Sequence, residues 1–292
     1  MSMPPSLVER IEDLLRRLEP LLPSPGPVDW SALAYQWHRR SVLGTSVGQL
    51  VPVRHVASIR PEDLKHVEAQ KQAILRNTEQ FVRGLPANNV LLTGARGTGK
   101  SSLVRACLAR YAADGLRLIE VDRHDLIDLP EIAGRLAGRT ERFVLFCDDL
   151  SFEPNDASYK ALKAALDGSL AGAGDSALIY ATSNRRHLMP EFMRENLDAA
   201  YDAEGELHPG ESTEEKVSLS ERFGLWLSFY PFRQDDYLDI VDHWLAHFGV
   251  DPAASVGARA EALQFALARG SRSGRVAHQF ARDFAGRAGL GR

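Results

Sequence analysis

Cysteine is scarce in this chain, with only Cys107 and Cys147 among 292 residues. Both lie in apolar runs and neither has a metal-ligand spacing around it. A disulfide framework and a zinc site are therefore excluded, and the expectation is two reduced core thiols in a cytoplasmic protein. Long apolar runs are missing too. No stretch approaches the roughly 20 residues that cross a bilayer, and Glu9, Glu12 and Asp13 interrupt the region where a secretory leader needs an apolar core. No membrane partner is expected. A basic excess is also absent: 35 Lys and Arg against 39 Asp and Glu leave a net charge of −4. No overall positive field attracts nucleic acid, which disfavours that partner, although Arg39-Arg40 and Arg185-Arg186 are local basic pieces. No repeat or low-complexity tract occurs. What remains is a chain with 44% hydrophobic residues, enough for a large core.

The stretch that organises the chain is Gly94-Ala95-Arg96-Gly97-Thr98-Gly99-Lys100-Ser101, followed by Ser102. It fits the phosphate-binding pattern of Gly, four residues, Gly, Lys and Ser or Thr. Val90-Leu91-Leu92 leads into it as a short buried strand, and Leu103, Val104, Cys107 and Leu108 follow at helical spacing. Glycines let the backbone curl close to an anion at the positive end of the new helix. Lys100 is then placed to reach β- and γ-phosphates, and Ser101 to offer a hydroxyl to Mg²⁺. An ordinary Gly-rich turn is the alternative.

Further along, Phe143 to Cys147 predicts a buried strand ending in Asp148-Asp149. Ligands in open α/β sheets sit at such strand ends, so Asp148 is assigned to the metal and Asp149 to the attacking water. Taken alone, the pair also suits a helix cap. Ala177 to Ala181 predicts a strand leading to Asn184, whose amide suits a phosphate or a water, or else a turn. Leu116 to Val121 and the alternating Leu225, Leu227 and Phe229 predict two more strands. Helices are expected at 5–18 (amphipathic, docked or partner-binding), 29–40 (Trp30, Leu33 and Trp37 on one face), from Pro61 to about Gly84, and at 157–170. Three more, at 235–248, 258–269 and 275–287, form a small helical domain. The acid-rich 191–216 predicts a solvated loop. Its Glu206, His208 and Glu211 have a spacing that does not suit a metal.

In this order the features resemble the AAA+ ATPases, from about residue 55 to the C-terminus. Within them, the chain is most similar to a bacterial family described only as ATP-binding proteins. The likeness rests on Asn88-Asn89-Val90-Leu91-Leu92, Phe146-Cys147-Asp148-Asp149-Leu150-Ser151-Phe152-Glu153, Ala181-Thr182-Ser183-Asn184-Arg185-Arg186-His187 and Ser220-Glu221-Arg222-Phe223-Gly224-Leu225. The resemblance implies an α/β fold with a three-layer α/β/α P-loop core on a parallel sheet, followed by a small α-helical lid. The domains expected are a helical arm at 1–50, the core at 51–232 and the lid at 233–292. It implies ATP and Mg²⁺ as cofactors, ATP hydrolysis, a homo-oligomer such as a transient ring, and a protein client. It assigns the Walker A motif to Gly94 to Ser101, Walker B to Asp148 and Asp149, and sensor 1 to Asn184. Arg222 becomes an arginine finger acting on the next protomer, the alternative being an ion pair inside its own subunit. Sensor 2 is Arg275, or failing that Arg272. Two positions depart from the pattern: Asp149 stands where Glu is usual, and His66 stands where the segment before the P-loop usually has glycine. No guanine-reading motif follows the core, which favours adenine.

Overall fold

A computed structural model describes residues 27–42, 45–56, 59–152, 156–169, 176–184, 200–201, 207–208 and 219–290. Nine strands occur among these residues, and seven of them form one sheet. These are β1 (Ala34–Val42), β2 (Thr45–Pro52), β3 (Val90–Gly94), β4 (Leu116–Glu120), β5 (Arg142–Cys147), β6 (Ala177–Ser183) and β9 (Leu225–Phe229). Their order is β2-β1-β4-β5-β6-β3-β9. Only the β1–β2 pair is antiparallel; every other neighbour pair is parallel. Parallel strands need crossover connections that cover both faces of the sheet, and the central strands accordingly have almost wholly buried side chains. The small ladder of β7 (Ala200–Tyr201) and β8 (Leu207–His208) stands apart.

The helices are α1 (Glu68–Val82), α2 (Lys100–Tyr111), α3 (Leu129–Leu136), α4 (Ala157–Ala164), α5 (Gln234–His247), α6 (Pro252–Ala268) and α7 (Gly274–Leu290). One apolar cluster joins a face of the sheet to α1, α2 and the three C-terminal helices; a second fills the other face under α3 and α4. The expected mostly parallel α/β sheet followed by C-terminal helices is what the chain forms. The order of β5, β6 and β3 matters most, because it sets their C-terminal ends side by side.

Three residues before the P-loop strand fix its height. The Asn77 side chain donates to the Asn88 carbonyl at 2.9 Å and accepts from its N–H at 3.0 Å. Asn89 accepts from the Ile179 N–H at 2.8 Å. Both cysteines are buried, and burial pushes each thiol up to about 12, so neither is a nucleophile at neutral pH.

Two expectations are corrected. The helix expected at 29–40, and with it the helical arm as far as residue 50, gives way to strands β1 and β2. The three-and-four spacing of Trp30, Leu33 and Trp37 suggests a helix, yet Tyr35 and Trp37 are buried while Gln36 and His38 are exposed, a period of two. Long-range partners decide the matter. Trp37 Nε1 donates to the buried Asp128 at 2.9 Å, Arg39 pairs with the same carboxylate at 2.7 Å, and the Arg135 guanidinium lies over the indole at 5.1 Å. Second, the helix expected from Pro61 begins only at Glu68. Pro61–Asp63 is a single 3-10 turn, and His66, at φ +60°, cannot propagate a helix. The amphipathic helix at 5–18 and most of the 191–216 loop lie outside the described residues, as do Glu153, Arg185 and Arg186.

Gly48 lies under Trp37, where an added Cβ would come within 1.9 Å of the indole ring. Gly48→Ala should therefore cost about 2 kcal/mol of stability by overpacking. In α3, a Cβ on Gly134 meets nothing, and Gly134→Ala should gain up to about 1 kcal/mol. Urea unfolding reads both; coincident midpoints would contradict the packing of the hairpin on the core.

Candidate functional site

Strand β3 ends at Gly94, whose φ of +122° and close approach to β9 admit no side chain: a Cβ would lie 1.9 Å from the Phe229 carbonyl oxygen. The chain then curls through Gly97 and Gly99, both at positive φ, and enters α2 with no side chain capping its first turn. Such a turn directs backbone N–H groups toward whatever occupies the cradle. The cradle opens into a cleft of about 980 Å³, near the top of the usual small-molecule range of about 300–1,000 Å³.

Lys100 is the first residue of α2 and only 6% exposed. Its ammonium has three donors, all used: to the Gly94 carbonyl at 2.8 Å, the Ala95 carbonyl at 2.7 Å and Asn184 Oδ1 at 3.1 Å. Burial pushes its pKa down to about 8, against the pull of Asp149 and Asp148 and with some help from Arg96 and Arg275. The cation is held in place yet only partly compensated, the state in which an anion binds best.

Beside it, Ser101 Oγ donates to Asp148 Oδ1 at 2.6 Å, and Thr182 Oγ1 donates to the same oxygen at 2.6 Å. Thr182 in turn accepts from the Asp149 N–H at 2.9 Å. This hydroxyl, at the end of β6, therefore aims both acids of β5. The backbone of Asp149 is left-handed at φ +53°, and its Oδ1 accepts from the Asn184 amide. Because Asn184 gives its oxygen to Lys100 and its amide to Asp149, one side chain connects cation and acid. The hard oxygens of Ser101 and Asp148 suit a magnesium ion that completes its shell with water and phosphate.

Of the predicted residues, Arg96, Gly97, Thr98, Gly99, Lys100, Ser101, Ser102, Asp148, Asp149, Asn184 and Arg275 line this one cleft, with Gly94 and Ala95 at its floor through Lys100. Arg275 enters from the first turn of α7, while Arg272 stays outside. The turn between α6 and α7 touches the cradle directly, since a Cβ on Gly97 would lie 2.7 Å from Ser273 Oγ. Arg222 is not brought to the cleft of its own chain; its Nε donates to Asp167 at 2.6 Å. Sequence reasoning missed Thr182 and Arg105. Arg105 pairs with Glu120 at 2.9 Å and stands 4.0 Å from Asp148 Oδ2. Its position one helical turn after Ser101 was the available signal. Thr182 had none beyond ending a strand.

Thr182 is 2% exposed, so Thr182→Val leaves the polar groups it bridges unsatisfied at nearly constant volume. The variant should lose about 1–3 kcal/mol in denaturant unfolding. An unchanged midpoint would show that the bridge contributes nothing.

Aeropyrum pernix Orc1, solved in complex with DNA, is similar over 80% of the chain and 65% of its own length, at 18% identity and a TM-score of 0.53. A mutant of Thermotoga maritima RuvB is similar over 76% of the chain and 62% of its own, at 16% identity and a TM-score of 0.49. The chain thus spans under two thirds of the length of these two structures. At such identities the Orc1 likeness shows the fold alone, a mixed α/β fold on a mostly parallel sheet followed by C-terminal helices. None of the curated proteins compared with the chain matches it. A family model matches residues 31–288, nearly the whole of the described fold, and the chain belongs to that family, described as Protein of unknown function (DUF815).

Proposed function

We propose that the cleft binds ATP with Mg²⁺, that the chain hydrolyses the γ-phosphate, and that the nucleotide state moves the helical lid to act on a protein client. One observation carries this reading: the Lys100 ammonium, the Ser101 hydroxyl and the Asp148 carboxylate converge beside a glycine cradle at adjoining strand ends. In this reading Lys100 exchanges its carbonyl partners for the β- and γ-phosphate oxygens. Ser101 and Asp148, now hydrogen-bonded to each other, hold the magnesium ion, which supplies neutralising charge when bound. Asp149 orients the attacking water and takes up its proton. Asn184 holds Asp149 and the γ-phosphate in register, and Arg275 closes on the phosphates from the lid.

Arg222 acts in trans. Its place outside the cleft of its own chain supports this, because a second copy would have to deliver it and loosen it from Asp167. The proposed assembly is a homo-oligomer that forms with nucleotide.

A second reading is a nucleotide-gated module with little turnover. The contact between the Asn184 amide and Asp149 favours it, since it occupies the shorter carboxylate that stands where Glu is usual. Phosphate release separates the two. For a hydrolase, Lys100→Ala should abolish ATP binding, and Asp149→Asn should keep binding but slow release at least about 100-fold. Release that is equal in wild type and both variants would defeat the hydrolase reading.

The pH dependence of binding follows from Lys100. A triphosphate prefers the charged ammonium, so affinity is full below about 8 and falls as pH rises through it. The loss should approach about tenfold per unit above that point, until the pKa of the bound state is passed. Titration calorimetry between pH 7 and 9.5 measures it, and a flat profile would contradict the buried cation.

A further inference from the structure

The outer end of the cleft is closed by two walls that are far apart in sequence. One is the segment from Pro61 to Val67, which contributes Asp63, Leu64 and Lys65; the other is helix α5, which contributes Ile240, Trp244 and His247. The segment contains one of only two non-glycine residues at positive φ among the described residues, His66 at +60°. The other, Asp149, belongs to the phosphate end. A left-handed backbone is uncommon for any residue but glycine, and surrounding contacts help to hold it.

Those contacts come from α5. His66 Nδ1 lies 3.3 Å from Asp236 Oδ1, and Nε2 lies 3.5 Å from Asp239 Oδ2. Both carboxylates are themselves anchored. Asp236 accepts from the Arg233 N–H at 3.0 Å, and Asp239 lies 3.7 Å from Arg259 of α6. A second imidazole crosses in the other direction, with His243 Nε2 3.5 Å from the buried Asp63. Burial and the Lys65 ammonium push its pKa down, against the pull of Asp63. Of the two imidazoles, His66 is the one that meets two carboxylates across the walls.

We propose that His66 is a positioning residue, a clasp that ties lid helix α5 to the segment before the P-loop and so sets how far the cleft opens. The clasp rests on reading the cleft as a nucleotide site, but its geometry can be measured with no nucleotide present. The left-handed conformation is then maintained at the cost of local strain, which glycine would relieve while losing the contact.

The test uses the full chain with spin labels on Asp114→Cys in the core and Ser271→Cys in the lid, both exposed positions. The native thiols are buried and stay unlabelled. Double electron–electron resonance without nucleotide should give one narrow distance distribution for the unsubstituted clasp. His66→Gly should broaden it and move it to longer distance without lowering the melting temperature. Asp236→Asn combined with Asp239→Asn should do the same with the His66 backbone unaltered. His66→Asn, which tolerates the left-handed conformation and keeps one donor, should fall between. With Mg²⁺ and ATP present, the affinity of His66→Gly should weaken about three- to tenfold, with turnover of the bound nucleotide retained. Unchanged distance distributions in both His66→Gly and the double variant would overturn the proposal. Failure of ATP to bind would overturn the nucleotide reading and leave the distance result standing.

Discussion

The structure depends on a positive charge that is taken out of water at the start of α2. An ammonium that is 6% exposed is tolerable only if each of its three protons has an acceptor and carboxylates stand close by. Two acceptors are P-loop carbonyls that the glycine conformations turn inward; the third is the oxygen of Asn184. Remove the ordering of β3, β6 and β5 and neither Asn184 nor the two acids would reach the lysine. The sheet topology is thus what makes the buried cation affordable, and the cation in turn makes the cradle attractive to an anion.

Around that point the polar groups are connected rather than merely near. Thr182 joins Asp148 to the backbone of Asp149, Asn184 joins Asp149 to Lys100, and Ser101 joins α2 to β5. A displacement at one member is felt by the others, because Asp148 Oδ1 and Asp149 Oδ1 each have a specified donor. The lid reports on the same centre through Ser273 against Gly97 and through Arg275. In the proposed reading, a change at the phosphate end is thereby passed to helices whose other contacts line the same cleft.

The central strands, the P-loop and the carboxylate pair were legible in the sequence because their signals are local. Short apolar runs ending in Gly or Asp, at crossover spacing, have few other solutions. The hairpin of β1 and β2 was not legible, since Trp30, Leu33 and Trp37 match a helix stripe by chance. The true partners of Trp37, Asp128 and Arg135, lie more than 90 residues further on. Thr182 was invisible for the same reason: its role exists only once β6 lies against β5. His66 was visible as a departure from glycine, but the departure acquires meaning only with the φ of +60° and the two lid carboxylates on view.

In the proposed function, Ser101 and Asp148 jointly hold a divalent cation delivered with a triphosphate. Electron paramagnetic resonance of Mn²⁺ titrated into the chain with a non-hydrolysable ATP analogue tests it most directly. Tight, nucleotide-dependent Mn²⁺ binding is expected, weakening at least about tenfold in Ser101→Ala and in Asp148→Asn. Mn²⁺ binding that is independent of the nucleotide, or indifferent to both substitutions, would contradict it.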